Sequence, residues 1–278
     1  MGWRAIARSA VGTSHLKRQM PCQDFGGYRF YQDVIVGAVA DGAGSAKYAE
    51  IGAELAVKTA LRYLTGSEAG IEQYRRFWEL HLQPFSEEEA WELFTETAKQ
   101  VIAALEAQAA SQGDSIADLA CTLLVFMATP KWVAAMQIGD GFIMVRCQQA
   151  GYQLLFSPAK GEYINETTFI TSANALETMQ VCLRWCQPEF ICAATDGLER
   201  VAICMSDWIP FAPFFQPLEG YLRQISDPEQ EDEYLMRFLE SDKLNDRTDD
   251  DKTLLLCCYD SPNLQRLSSR AYTSQAER

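Results

Sequence analysis

The chain has 278 residues, a hydrophobic fraction of 48% and a formal net charge of −14. This apolar content suffices for a sizeable core and excludes a disordered chain. The negative charge argues against nucleic acid or an acidic membrane as a partner, since both require a basic surface. The longest apolar run, residues 119–128, is too short to cross a bilayer. We therefore expect a cytoplasmic protein with no nucleic-acid or membrane partner.

Apolar runs and turn residues predict three early strands, two helices, a β-rich middle, further helices and a last strand. The predicted strands cover residues 5–11, 28–31, 34–40, 119–128, 131–138, 142–147, 152–156, 179–183, 189–195 and 253–259. The predicted helices cover residues 45–64, 87–110, 198–204, 218–225 and 229–239, with Ser45 as the first N-cap and Gly113 closing the second helix. Residues 67–85 are expected to form a linker or irregular insertion. This order is typical of an α+β fold in which helices cover sheets.

The cysteines and histidines exclude two further kinds of site. The chain has nine cysteines, an odd number, and no C-x-x-C motif. Several of them, such as Cys121 and Cys192, lie in apolar runs, where a free cysteine behaves as a small hydrophobic residue. We therefore expect reduced thiols rather than disulfides. With only two histidines and no paired cysteines, a zinc site is not expected.

Acidic residues stand at the ends of several predicted strands. They are Asp41-Gly42, Asp140-Gly141 and Asp196-Gly197 after strands, and Asp24 and Asp249-Asp250-Asp251 before strands. A single Asp-Gly most often marks a hairpin turn, but Asp41 and Asp196 lead into helical patterns. Carboxylates brought together repel one another unless protons or a cation neutralise them. Oxygen ligands favour Mg²⁺ or Mn²⁺, so the pattern indicates a hydrolytic site for hard metal ions.

The order of six motifs resembles that of the metal-dependent protein phosphatases, the type-2C serine/threonine family, and most of all its short bacterial branch. The motifs are GTSHLKRQMPCQD, VADGAGS, ACTLLVF, QIGDGFIMV, ATDGLERV and DDDKTLLL. The resemblance implies a four-layer α-β-β-α sandwich, with two mainly antiparallel sheets flanked by helices and a two-metal site at one end. We expect residues 1–260 to form one catalytic domain, followed by a polar, flexible tail at residues 261–278.

The resemblance implies a role for each acid by its position in a motif. Asp41 matches the acid that bridges the two metals, with the carbonyl of Gly42 as a further ligand. Asp196 matches a ligand of one metal, and Asp24 matches the acid that holds metal-bound water. Asp250 matches the first residue of the family's Asp-Asn-x-Thr motif, also a metal ligand. The implied cofactors are two Mn²⁺ or Mg²⁺ ions.

The chain departs from the family pattern at the position of a third, weaker metal. Asp140 matches an acid that helps to bind this ion. The family's second acid, four residues after Asp196, is however Arg200 here, with Glu199 beside it. The residue before Asp24 is Gln23, where the family usually has Glu.

A second departure concerns the group that binds phosphate. The first motif normally has an arginine five residues before its aspartate, and that position is Gln19 here. His15, Lys17 and Arg18 are the alternatives nearby. Of these we predict His15 and Arg18 as phosphate-binding residues.

The resemblance implies that metal-activated water hydrolyses phosphoserine and phosphothreonine in a phosphorylated protein substrate, opposing a serine/threonine kinase pathway. We expect a monomer. The main alternative is a pseudophosphatase, a type-2C fold kept as a binding module, although such a protein would have lost metal acids that this chain retains. Residues 249–253 also fit the D-x-D-x-T motif of haloacid-dehalogenase-like phosphatases, but that motif follows a strand and here it precedes one. No cysteine has an arginine six positions later, which excludes cysteine phosphatases.

Overall fold

The strands of this protein are formed by apolar runs of the sequence, and both faces of the sheets they form are covered. The computed structural model describes residues 2–66, 86–156, 167–225 and 232–260. The strands in this part of the chain are β1 (Trp3–Ala10), β2 (Asp24–Tyr31), β3 (Val34–Asp41), β4 (Leu123–Thr129), β5 (Trp132–Ile138), β6 (Phe142–Cys147), β7 (Tyr152–Leu154), β8 (Gln180–Trp185), β9 (Pro188–Ala194), β10 (Ile203–Cys204), β11 (Ile209–Pro210) and β12 (Lys252–Tyr259).

Two five-stranded antiparallel sheets pack face to face. The first has the order β1-β12-β9-β6-β7 and the second β2-β3-β4-β5-β8, while β10 and β11 pair as a separate ribbon. In β3, Val34 and Val36 face the helices, whereas Ile35 and Val39 face the other sheet. Because both faces are buried, the strand has no polar side chain before Asp41 instead of alternating with polar residues.

Helices cover the outer face of each sheet. The helices of the described residues are α1 (Thr13–Arg18), α2 (Ala49–Thr65), α3 (Glu87–Gln112), α4 (Ala175–Thr178), α5 (Glu199–Ala202), α6 (Ala212–Gln224), α7 (Glu233–Leu239) and α8 (Asp242–Asn245), with 3-10 turns at Ile116–Leu119 and Asp196–Leu198. Val57 of α2 and Phe94 of α3 pack on the second sheet. Phe215 of α6 and Leu235 of α7 pack on the first. The resulting α-β-β-α layers confirm the predicted α+β sandwich.

The start of α2 differs from the prediction. The helix begins at Ala49 rather than just after Ser45, and its N-cap is Tyr48. The backbone beyond β3 stays extended because the amide of Ala43 donates to the carbonyl of Ala120 at 2.8 Å. This pairing delays the helix, so a residue with good capping chemistry lies in the preceding turn instead.

Several short elements have no counterpart in the prediction. They are α1, α4, α8 and the β10–β11 ribbon. Each of the three helices has six residues or fewer, which is less than two turns, and each strand of the ribbon has two residues, too few to show alternation. Helix α3, in contrast, matches the prediction closely, since Ser86 and Glu89 form a capping box and Gly113 ends it in a left-handed conformation. The predicted linker at 67–85 and tail at 261–278 lie outside the described residues.

The expectation that all cysteines are reduced is wrong for one pair. Cys147, at the end of β6, forms a disulfide with Cys186, directly after β8. Their Cα atoms lie 5.9 Å apart, within the range that such a bond spans. The two strands belong to different sheets, so the pairing depends on a tertiary approach that cysteine spacing does not encode. Cys121 and Cys192 are free and buried, as predicted.

Among the described residues, none of the helices combines the length and the apolar character needed to span a membrane.

A charge network ties α6 to the first sheet. Glu219 accepts hydrogen bonds from Nε of Arg146 at 3.0 Å, the hydroxyl of Tyr152 at 2.9 Å and Nε of Arg223 at 3.0 Å. Arg146 also donates to Glu189 at 2.6 Å. Burial alone would raise the pKa of Glu219, but the hydrogen bonds and charges of the arginines outweigh burial and hold the pKa below its ordinary value.

Replacing Glu219 with alanine is expected to lower the free energy of unfolding by about 2–3 kcal/mol, because Arg146 then stays partly buried without its main partner. The matched control is Glu233→Ala, which breaks the exposed Glu233–Arg237 pair and should change stability by less than about 0.5 kcal/mol. Urea unfolding at pH 7 measures the free energy of unfolding of both variants. Equal losses would contradict the stabilising role given to Glu219. Because the folded-state pKa of Glu219 is lowered, its contribution should disappear as the pH falls through that pKa.

Candidate metal centre

Five acidic residues lie at strand ends on one end of the sandwich. Asp41 is the last residue of β3 and Asp24 the first of β2, and the two are register partners. Asp196 follows β9, Asp140 lies in the turn between β5 and β6, and Asp250 precedes β12. The fold therefore collects acids that are far apart in the sequence.

Asp41, Asp140 and Asp196 form the tightest group. One carboxylate oxygen from each lies within 4.8 Å of the other two, and the three residues are partly buried. Oxygens that bind one Mg²⁺ ion at about 2.1 Å necessarily lie within about 4.2 Å of one another, so the spacing is close to that of a shared ion. Asp140, expected at a separate weaker site, stands here beside the two main predicted ligands.

Burial and mutual repulsion raise the pKa values of the clustered acids. The pKa of Asp41 is raised far above its ordinary value, first by burial and then by the negative charges of Asp24 and Asp196. Burial raises the pKa of Asp24 to about 7. Burial, followed by the charges of Asp140 and Asp250, raises the pKa of Asp196 to about 6. The group therefore has an excess of negative charge that protons or a cation must balance.

Asp24 is buried and held in place from the neighbouring sheet. The hydroxyl of Thr195, just after β9, donates to Oδ2 of Asp24 at 2.6 Å. The same hydroxyl oxygen accepts from the amide of Thr253 in β12 at 2.9 Å. Thr195 thus connects Asp24 to β12, close to the strand ends where Asp196 and Asp250 lie.

Asp250 is more exposed and lies outside the group of three, although its charge raises the pKa values of Asp41 and Asp196. Two close backbone approaches position its segment. A Cβ atom on Gly12 would lie 2.3 Å from the carbonyl carbon of Asp250, and one on Gly197 would lie 2.0 Å from the carbonyl oxygen of Asp251. Only glycine leaves room at either position.

Glu199 is a member of the site that motif matching did not assign. Its carboxylate accepts from the amide of Gly141 at 3.2 Å, and Asp140 itself accepts from the hydroxyl of Thr167 at 2.6 Å. Burial, followed by the charges of Asp196 and Asp140, raises the pKa of Glu199 to about 7. The sequence feature that could have identified Glu199 is its position directly before Arg200.

The predicted phosphate-binding residues lie on α1. His15 is buried, and its Nδ1 is 2.9 Å from Oδ2 of Asp251. Lys17 and Arg18 are exposed in the last turn of the helix. The amide of Ser14 donates to the carbonyl of Asp249 at 2.9 Å, which joins α1 to the segment before β12.

The residues at this end of the sandwich fit divalent cations. Besides the carboxylates, the side-chain oxygen of Gln23 is buried and makes no hydrogen bond. Gln23 directly precedes Asp24, and its carbonyl accepts from the amide of Gly42 at 3.1 Å. The clustered carboxylates are oxygen donors of the kind that hard cations prefer, and the residue before Asp24 adds a buried amide oxygen that no protein group satisfies.

A family model described as protein phosphatase 2C matches residues 11–240, which include Asp24, Asp41, Asp140 and Asp196. The chain is also 35% identical over 271 residues to serine/threonine-protein phosphatase 3 of Escherichia coli (strain K12), and the match covers 93% of this chain and 99% of that protein. The chain belongs to the protein phosphatase 2C family. The family predicted from the order of the motifs is confirmed.

Solved structures share the protein phosphatase 2C fold at low sequence identity. Serine/threonine phosphatase Stp1 from Staphylococcus aureus is 12% identical with a TM-score of 0.59, and the match covers 94% of this chain and 96% of that one. The catalytic domain of the serine/threonine protein phosphatase PstP, in complex with two manganese ions, is 13% identical with a TM-score of 0.55, covering 92% and 97%. These likenesses support the observed fold.

Proposed function

We propose that this protein is a metal-dependent phosphatase that hydrolyses phosphoserine and phosphothreonine in proteins. The observation that carries the proposal is the approach of Asp41, Asp140 and Asp196 to within 4.8 Å in a chain of this family. The E. coli relative is named a serine/threonine-protein phosphatase, and it matches along nearly its whole length. A pseudophosphatase is disfavoured because the acids are retained.

Two divalent cations, Mn²⁺ or Mg²⁺, are proposed at this centre, as in the PstP structure with its two manganese ions. Asp41 and the carbonyl of Gly42, with Asp196 and Asp250, would hold them, and Asp24 would hold a water in the pocket. Asp140 would contribute to a third, weaker ion. The cations would supply charge neutralisation and lower the pKa of water to make it a nucleophile at neutral pH.

The chain's own residues orient the reactants around this centre. Thr195 fixes Asp24, so that a water hydrogen-bonded to this carboxylate has a defined direction of approach. His15 and Arg18 are proposed to bind phosphate oxygens, with Lys17 as the alternative cation on the same helix. Water would attack phosphorus in line with the ester oxygen, and the P–O bond to serine or threonine would break. The leaving oxygen would take up a proton that the water releases. No covalent phosphoenzyme is needed.

The wider setting is also part of the proposal. Residues 1–260 would act as one catalytic domain, and residues 261–278 would lie outside it. The substrates would be phosphoproteins made by serine/threonine kinases in the cytoplasm, and the protein would act as a monomer. Light scattering of the purified full chain tests the oligomeric state.

The decisive experiment is hydrolysis of a phosphothreonine peptide by the purified full chain. Activity should vanish in EDTA and return with Mn²⁺ or Mg²⁺. Asp196→Asn should lower kcat at least about 100-fold, since a metal ligand is worth several kcal/mol and 1.36 kcal/mol is tenfold. The control Asp207→Asn removes an exposed acid in the β10–β11 turn and should leave kcat unchanged. A folded wild-type protein without turnover in any metal would support the pseudophosphatase instead.

A further inference from the structure

Asp251 is a buried carboxylate to which the proposed function assigns no role. It is 3% exposed, and its Oδ1 accepts from the amide of Gly12 at 2.6 Å. Its Oδ2 accepts from the amide of Gln23 and lies 2.9 Å from Nδ1 of His15. Burying a charge is costly unless hydrogen bonds compensate it, and three donors do so here. All three come from the segment between β1 and β2, which Asp251 therefore fixes to the start of β12.

The carboxylate determines which nitrogen of His15 carries hydrogen. Both oxygens of Asp251 already accept backbone amides, so the geometry assigns the hydrogen of this pair to Nδ1 of His15, which donates it to Oδ2. Within the described residues, Nε2 has no hydrogen-bond partner, and 10% of the side chain remains open to solvent. His15 thus has one nitrogen held by the protein and one that is available to a ligand.

Neighbouring contacts connect this pair to the metal centre. Gln23, which shares Oδ2 of Asp251 with His15, is followed directly by Asp24 and accepts from the amide of Gly42. Lys252 does not compete for the carboxylate, because its Nζ donates to the side chain of Asn245 at 2.9 Å and to a backbone carbonyl at 3.2 Å. The orientation of His15 is therefore set by Asp251 beside the backbone that carries two of the proposed metal-site residues.

We propose that Asp251 is the positioning residue of His15, and that His15 held in this way presents Nε2 to a phosphate oxygen of the substrate. This inference rests on the proposed function. When both ring nitrogens carry hydrogen, Asp251 occupies Nδ1–H and Nε2–H donates to phosphate. Gln19, where the resemblance described above implies an arginine, is exposed at the left-handed end of α1. An oriented imidazole one turn earlier supplies the missing donor.

A double-mutant cycle tests the coupling. The variants are Asp251→Asn, His15→Ala and the double variant, with Asp249→Asn as the control because it makes the same chemical change at an exposed neighbour. Each single variant should raise KM for a phosphopeptide about tenfold, with little change in kcat, and the double variant should raise it no further. Asp249→Asn should leave KM within about twofold of the wild type. Effects that multiply to about 100-fold in the double variant would overturn the proposal.

Nitrogen NMR supplies a readout that does not depend on turnover. The chain has two histidines, so His81→Gln assigns the His15 signals directly. In Mg²⁺ buffer the wild type should show hydrogen on Nδ1 of His15, and inorganic phosphate should shift the Nε2 resonance. Asp251→Asn should remove both signatures. An unprotonated Nδ1 in the wild type, or an Nε2 resonance that phosphate leaves unmoved, would overturn the proposal. If no metal supports turnover, the proposed function fails while the tautomer is still measured.

Discussion

Replacing Asp41 by asparagine is expected to lower kcat for a phosphopeptide on the order of 10³-fold at saturating Mn²⁺. Asp41 has an oxygen in the group with Asp140 and Asp196, and it is also the register partner of Asp24. It therefore lies next to three of the other acids. An amide keeps the shape of the side chain but cannot supply the negative charge, so the loss reflects charge rather than packing. Initial rates over a metal titration provide the measurement.

The stability of the same variant in EDTA separates this explanation from simple misfolding. Without metal, the raised pKa of Asp41 means that the folded state must keep a proton that the unfolded chain releases at neutral pH, which lowers stability. The asparagine variant avoids this cost and should melt at a higher temperature than the wild type. The matched control is Asp33→Asn in the turn between β2 and β3, an exposed site that should change neither activity nor melting. A variant that retains kcat, or that melts lower than the wild type in EDTA, would show that the role given to Asp41 is wrong.

The acids of the metal centre are visible in the sequence because each is encoded locally. Asp41 and Asp196 end apolar runs and are followed by glycine, and such a pattern needs no tertiary information. This pattern does not show which of the acids lie close together in the folded protein. Asp140 shares the pattern of a strand followed by Asp-Gly, whereas Asp250 precedes a strand, but neither pattern shows that Asp140 joins the tight group and that Asp250 lies outside it. The difference arises from the register of the two sheets.

The supporting residues escaped prediction because their partners are distant in the chain. Asp251 and His15 are 236 residues apart, and the acidic triplet offers no local reason to separate Asp251 from Asp250. The disulfide between Cys147 and Cys186 likewise joins strands of different sheets. Glu199 enters the site only because a 3-10 turn at Asp196–Leu198 carries it towards the amide of Gly141. Such contacts depend on the detailed fold, whereas local sequence patterns indicate only the fold class.

Manganese is expected to stabilise the protein, and by more as the pH rises. In the unfolded chain an aspartate ionises near pH 4, whereas the folded-state pKa values are raised to about 6 for Asp196 and about 7 for Asp24 and Glu199, mainly by burial. Between these values the folded state binds more protons than the unfolded state, so the metal-free protein loses stability from about pH 4 to pH 8. Cations bind the ionised carboxylates and release those protons, which reverses the loss.

Free Mn²⁺ at about 100 times its dissociation constant should add about 2.7 kcal/mol, or roughly 5–10 °C in Tm for a chain of this size. Because protons compete with the metal, the increment at a fixed Mn²⁺ concentration should be smallest near pH 5.5 and largest near pH 8. Calorimetry in EDTA and in Mn²⁺ at several pH values measures it. Asp41→Asn and Asp196→Asn should flatten the pH dependence, whereas Asp207→Asn should not. A wild-type protein whose Tm is the same with and without Mn²⁺ at pH 8 would mean that the clustered carboxylates do not bind the ion.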